Sequence, residues 1–162
     1  MKKIIKIILS LMLMSLINNC GYKPIFNSTN SNLNFKIAEY IINGDTKTGN
    51  IILANLKKNL GTGENNKKIK VIINSSQSKI ATTKSTTGKA TGYKIIVVSN
   101  IEIIDYDMGN IILTDTFSSS LTYKVQEQYS ETINIEDKTL KNIMLRIHQN
   151  LIIKVSKAAV KS

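Results

Sequence analysis

One cysteine, one histidine, one arginine and one proline are all that 162 residues hold of those types, and tryptophan is absent. Each shortage excludes something. A single Cys and a single His build no Cys/His zinc cluster, no internal disulfide and no CxxC redox pair. A lone arginine, Arg146, leaves little for the bidentate base and phosphate contacts of nucleic-acid binding. The most apolar stretch, Ile7 to Ile17, is eleven residues interrupted by Ser10 and Ser15, short of the roughly 20 that a spanning helix needs. Carboxylates are also scarce, 11 against 22 Lys and Arg, so the chain carries +11, almost all of it lysine. What remains is an ordinary globular composition, 42% hydrophobic, long enough for one domain without a covalent staple.

The N-terminus has the order of a secretory signal. Lys2, Lys3 and Lys6 precede the Ile7–Ile17 run, whose length lies within the roughly 7–15 residues of a signal-peptide apolar region. The only cysteine, Cys20, follows directly after Asn18 and Asn19. Residues 1–19 are therefore expected to be a lipoprotein signal peptide. Residues 20–34 would then be an acylated N-terminus and polar linker, and 35–162 a single domain. Two or more acyl chains anchor a protein stably. A plain cleaved signal, or an uncleaved N-terminal anchor with a spare thiol, is the other reading, because Asn19 stands where a lipobox has a small residue. All of these place the domain outside the cytoplasm. Loss of residues 1–19 removes three of the 22 basic residues and none of the 11 acidic ones, so the mature chain keeps 19 basic residues and a net +8. The basic character belongs to the domain, and it implies an anionic partner.

The rest reads as strand, helix, three strands, helix. Phe35, Ile37 and Ile41 share a face under period-2 alternation in a strand over 35–42. Asn43-Gly44 breaks it, and Asp45 or Thr46 is placed to cap a helix over 47–60 with Ile52, Leu53, Leu56 and Leu60 on one stripe. A second strand follows over 69–80, with Ile69, Val71 and Ile73 on one face. The stretch from Asn74 to Thr91 is rich in Ser, Thr and Lys. Its β-branched threonines favour extended backbone, so a long hairpin arm is expected. The third strand spans 93–106, Asp107-Met108-Gly109-Asn110 is a hairpin turn, and the fourth spans 111–125 with Ile111, Leu113, Phe117, Leu121, Tyr123 and Val125 on one face. A last helix over 135–159 repeats Leu140, Ile143, Met144, Ile147, Leu151 and Val155 at spacings of three and four, with Glu136 and Asp137 in its first turn. The expected class is α+β, with two helices on one face of a four-stranded, mainly antiparallel sheet.

Catalytic and metal-binding patterns are weak. His148 has no Asp, Ser or Cys partner nearby in sequence and reads as a surface or half-buried helix residue. Asp105, Asp107 and Asn110 are too few oxygen ligands for a cation loop. The GxxxxGK[ST] phosphate loop is missing. No catalytic residue, metal or cofactor is proposed, and an enzyme is not expected. Charge is more informative. From Asn65 to Ile101 there are seven lysines and no carboxylate. A field of one sign attracts phosphate-bearing ligands; edge lysines equally serve to block strand pairing, and both readings stand.

Cys20-Gly21-Tyr22-Lys23-Pro24-Ile25-Phe26 is similar to the start of the outer-membrane lipopolysaccharide-assembly lipoproteins, the LptE family. The segment from Phe35 through Gly49-Asn50-Ile51-Ile52-Leu53-Ala54-Asn55-Leu56 resembles that family's first strand and helix. Tyr129-Ser130 and the helix from Glu136 to Leu151 resemble its last helix. The resemblance implies an outer-membrane lipoprotein, lipid-anchored at Cys20 and facing the periplasm or a barrel lumen. It implies that the protein plugs and helps assemble the LptD β-barrel and binds lipopolysaccharide during delivery to the outer leaflet. Lys79, Lys84, Lys89 and Lys94 are then the candidate contacts to lipid A phosphates. Nucleic acid is not an expected partner. The alternative is another envelope lipoprotein, an adaptor or structural module without lipopolysaccharide binding.

Overall fold

A computed structural model describes residues 33–61, 63 and 66–159. The signal peptide 1–19, Cys20 and the motif through Phe26 lie outside the described residues. The order of elements is β1 (Phe35–Gly44), α1 (Thr46–Asn59), β2 (Lys67–Lys84), β3 (Ala90–Asp105), β4 (Ile111–Lys124) and α2 (Tyr129–Ala159). The strands lie in sequence order in one sheet. β1 pairs parallel to β2, with α1 as the crossover that parallel pairing demands. β2–β3 and β3–β4 are antiparallel hairpins. The α+β class, and among the described residues the count of two helices and four strands, are as expected from sequence.

One sheet face and the two helices enclose the core. β2 and β3 contribute Ile69, Val71, Ile73, Ile95, Val97, Ile101 and Ile103. α1 adds Ile52, Leu53 and Leu56, and α2 adds Ile143, Met144, Ile147, Leu151 and Val155. Asp45 is the N-cap of α1: its Oδ1 accepts the Thr48 N–H at 2.7 Å. Gly44, at φ +76°, frees the chain to turn from β1 into that cap.

Two alternation readings fail, each at a bulge. The register slips between Ile37 and Glu39, so Ile42 rather than Ile41 turns toward the core, and Ile41 is exposed. A second slip, between Ile103 and Ile104, sets Ile111 opposite Ile104. Ile111 is therefore 64% exposed. Each extra residue inverts the parity beyond it. The last helix also starts earlier than expected, at Tyr129, with Glu131 as the acid of its first turn. Thr132 fixes this start by accepting the Gln126 N–H on its Oγ1 at 2.9 Å. Glu136 and Asp137 thus sit further into the helix, and Glu136 has another task.

The helices meet where Asn59 Nδ2 donates to His148 Nε2 at 3.1 Å, and Asn59 also bonds the Asn55 carbonyl at 2.9 Å. On that assignment His148 is neutral with its proton on Nδ1. Burial lowers the imidazole pKa, and the Lys58 charge lowers it further.

Two outcomes follow from this packing. Gly49 lies where an added Cβ would stand 2.4 Å from Ile42 Cγ2, so Gly49→Val should cost about 1–3 kcal/mol by overpacking, despite glycine's poor helix propensity; urea denaturation reads it. His148 holds its proton less readily folded than unfolded. Its contribution to stability is therefore intact above the ordinary histidine pKa, about 6.5, and falls as pH drops through the lower folded value. The urea midpoint should decline as pH falls below neutral, and His148→Gln should flatten that decline.

Candidate functional site

β1 stops at Gly44, opposite Ser75. β2 runs on to Lys84, paired on one side only. From Ser76 to Lys84 every residue of β2 is exposed. This overhang, with the facing part of β3, is the arm that the Ser/Thr/Lys composition implied. Its turn is closed by Ser85 N–H to the Lys89 carbonyl at 2.8 Å and Gly88 N–H to the Ser85 carbonyl at 2.9 Å.

The four candidate lysines divide among three places. Lys79 pairs across the sheet with Ile95, so it lies on the helix-bearing face. Lys94 pairs with Ile80 and Thr122 and lies on the opposite face. Lys84 and Lys89 flank the arm's turn, and Lys94 is four residues along β3 from Ala90, the partner of Lys84, about 13 Å at the usual strand rise. Lys84, Lys89 and Lys94 form no ion pair among the described residues.

Lys79 is engaged. Its Nζ lies 2.5 Å from Glu136 Oε2, and the same oxygen accepts the Tyr123 hydroxyl at 2.6 Å. The Nζ also sits over the Tyr93 ring at 4.6 Å and 5.6 Å from the Tyr123 centroid. Tyr93 and Tyr123 are themselves cross-strand partners with ring centroids 5.9 Å apart. Desolvation pulls the Lys79 pKa down, but its bonds to Glu136 and Tyr123 outweigh it and hold the ammonium above its ordinary value. The same balance holds Glu136 below the usual carboxylate value: burial raises it, and Lys79 and Tyr123 more than reverse that. Burial, then the hydrogen bond to Glu136, pushes the Tyr123 phenol up. The group is a latch that ties the arm to the N-terminal half of α2. Nothing local marks Glu136 as the partner of Lys79, which stands 57 positions away.

The acid-free run from Asn65 to Ile101 is not acid-free in space. Lys67 pairs with Asp105 at 3.1 Å, Lys70 with Glu39 at 2.9 Å, and Lys79 with Glu136. Folding brings carboxylates from β1, the end of β3 and α2 to three of its seven lysines. The Asp105 carboxylate is further occupied by the N–H groups of Met108 and Asp107, 3.0 Å each. It orders a turn and does not open a metal loop; among the described residues no three His, Cys, Asp or Glu side chains could hold a metal together. No described helix is long and apolar enough to cross a membrane.

Glu136→Gln should release the arm. It should speed amide hydrogen exchange at 76–84 and 90–94 and cost about 1 kcal/mol or less, as befits a largely solvated pair. Tyr123→Phe should show the same exchange pattern more weakly. Unchanged exchange in both would mean that the latch carries nothing.

No protein-family model matches the chain, and no curated protein matches it by sequence. Solved structures do share its fold. A protein assigned as a lipoprotein, from Caulobacter crescentus CB15, superposes with a TM-score of 0.60 at 10% identity, covering 84% of this chain and 98% of that one. Rare lipoprotein B from Shewanella oneidensis gives 0.55 at 8% identity, over 76% and 97%. Lipoprotein B from Nitrosomonas europaea gives 0.52 at 10% identity, over 81% and 89%. Two helices on a four-stranded sheet are thus an architecture that this chain shares with bacterial lipoproteins.

Proposed function

We propose that this chain is an outer-membrane lipoprotein, acylated at Cys20, that plugs an LptD-type β-barrel, assists its assembly and offers its arm to lipopolysaccharide. The observation that carries the reading is the overhanging arm, whose Lys84, Lys89 and Lys94 lack carboxylate partners among the described residues. The shared lipoprotein fold and the Cys20-Gly21-Tyr22-Lys23-Pro24 cluster support it. Lipid A carries phosphates, and Lys84 and Lys89, exposed at the turn, with half-buried Lys94 behind them, meet such groups without first shedding an ion pair. Lys79 joins them only by leaving Glu136. A barrel lumen is polar, which suits the arm's Ser/Thr-rich surface. These contacts are solvent-exposed, so salt weakens them within about 10 Å of screening length at 0.1 M.

The adaptor reading has one observation of its own. Lys79 and Lys84 lie on the unpaired edge of β2, where lysines discourage strand addition. A single preparation separates the two. The chain is tagged at its C-terminus and purified from solubilised membranes. A barrel of the LptD type should copurify in near-equal amount; a preparation with no barrel sinks the plug. Lys84→Ala/Lys89→Ala/Lys94→Ala should then lower photo-crosslinking to lipopolysaccharide several-fold with the barrel still bound. Undiminished crosslinking would leave the adaptor.

A further inference from the structure

The end of the molecule away from the arm is built differently. There the β3–β4 turn places three large apolar side chains in water within six residues: Tyr106 is 49% exposed, Met108 73% and Ile111 64%. Other exposed apolar residues are scattered through the fold, which is ordinary for a soluble surface. A cluster at one tip is not. The turn is also held rigid. Asp105, buried, accepts the Met108 and Asp107 N–H groups on one oxygen and pairs with Lys67 through the other. Its backbone N–H bonds the Asn110 carbonyl at 2.8 Å, and Gly109 takes φ +72°. The backbone under Met108 is thereby fixed with its side chain 73% exposed; the bulge that turns Ile111 outward sets it beside the same tip.

Charge surrounds this tip. Lys68 lies beside it, its carbonyl accepting the Tyr106 N–H at 3.0 Å. Lys36 is the cross-strand partner of Lys68, and Lys157 comes from the last turn of α2. All three lysines are exposed, against one exposed carboxylate among the described residues, Asp107. An open cleft of about 590 Å³ separates the turn from the end of α2, with Lys157 and Met108 in its walls. The chain also enters the fold here. Leu33, just before β1, bridges to Leu60, and its carbonyl accepts the Gly61 N–H at 2.8 Å. Cys20 is thirteen residues upstream, at most about 45 Å of extended chain.

We infer that the β3–β4 turn is a membrane-surface contact: Tyr106, Met108 and Ile111 enter the boundary between headgroups and acyl chains of an anionic phospholipid leaflet, and Lys36, Lys68 and Lys157 lie among the headgroup phosphates. Apolar side chains carried on a basic rim are what an interfacial segment needs. Tyrosine suits that depth because its ring is apolar and its hydroxyl is wet. The tether rests on acylation at Cys20, as proposed above; the lipid contact rests on the turn itself.

The absence of tryptophan makes the test direct. Met108→Trp supplies a single emitter, Ile111→Trp a second on the same tip, and Tyr129→Trp a control at the start of α2. Each acylated mature chain is reconstituted in vesicles of phosphatidylethanolamine and phosphatidylglycerol, with neither barrel nor lipopolysaccharide present. Acylation is read independently from the mass of the N-terminal peptide. Emission from Met108→Trp and Ile111→Trp should shift to the blue and be quenched by acyl chains brominated near the headgroup, while Tyr129→Trp emits as in water. Neutral lipid, or high salt, should reduce the quenching at least about twofold. Water-like, unquenched emission from both tip variants in an acylated chain would overturn the contact and leave the turn for a protein surface. Equal quenching on neutral and anionic vesicles would overturn the role of the lysines.

Discussion

Much of this molecule follows from a mismatch in strand length. β2 spans Lys67–Lys84, but β1 accompanies it only as far as Ser75. Where both neighbours are present, β2 alternates buried and exposed residues; past Ser75 it is exposed throughout. The mismatch therefore leaves β2 without a core residue past Ser75, while β3 beside it still buries Val97 and Ile95. Side-chain chemistry in β2 follows the same break. Isoleucine and valine fill the inner face up to Ile73, a buried Ser75–Ser99 hydroxyl pair at 3.0 Å marks the border, and Ser, Thr and Lys dominate β2 beyond it.

The β2 strand of the arm has no buried apolar side chain of its own to hold its direction. Lys79, Tyr93, Tyr123 and Glu136 supply a different kind of restraint, in which one carboxylate oxygen serves an ammonium and a phenol together. Its contribution to global stability is small by the standards of exposed ion pairs. Its position matters more, because it joins the first part of the overhang to the helix rather than to the core. The turn at the other end uses a carboxylate for a similar purpose. Asp105 is held below the usual carboxylate pKa chiefly by the Met108 N–H, with Lys67 and the Asp107 N–H assisting against burial. Few acids are present, and several of them fix geometry.

The class of fold was legible because its signals are local. Alternation in β3, the stripe of α1 and the Asn43-Gly44-Asp45 stop each depend on neighbours a few residues apart. Ile41 and Ile111 were misplaced because counting by twos assumes an unbroken ladder, and the bulges near Ala38 and Ile112 are set by the pairing strand. The start of α2 was missed because no apolar stripe marks 129–134; a threonine hydroxyl and the preceding loop define it. For the candidate site, the arm and its lysines could be read, but their division could not. Which lysines meet a carboxylate depends on contacts between distant segments, as Lys79 with Glu136 and Lys70 with Glu39 illustrate. A charge run in one dimension says little about the field in three.

The strand order has a kinetic side as well. β2, β3 and β4 form a meander joined by turns at 85–89 and 106–110. Those closures cost little chain entropy. β1 meets β2 only after the long connection through α1, and α2 closes over strands that precede it from far along the chain. Loop-closure entropy therefore favours a meander that assembles from its own turns, with the part of its apolar inner face that α1 does not cover left open until the last thirty or so residues arrive. For a chain delivered N-terminus first, that final helix is the step that ends the exposure of the core.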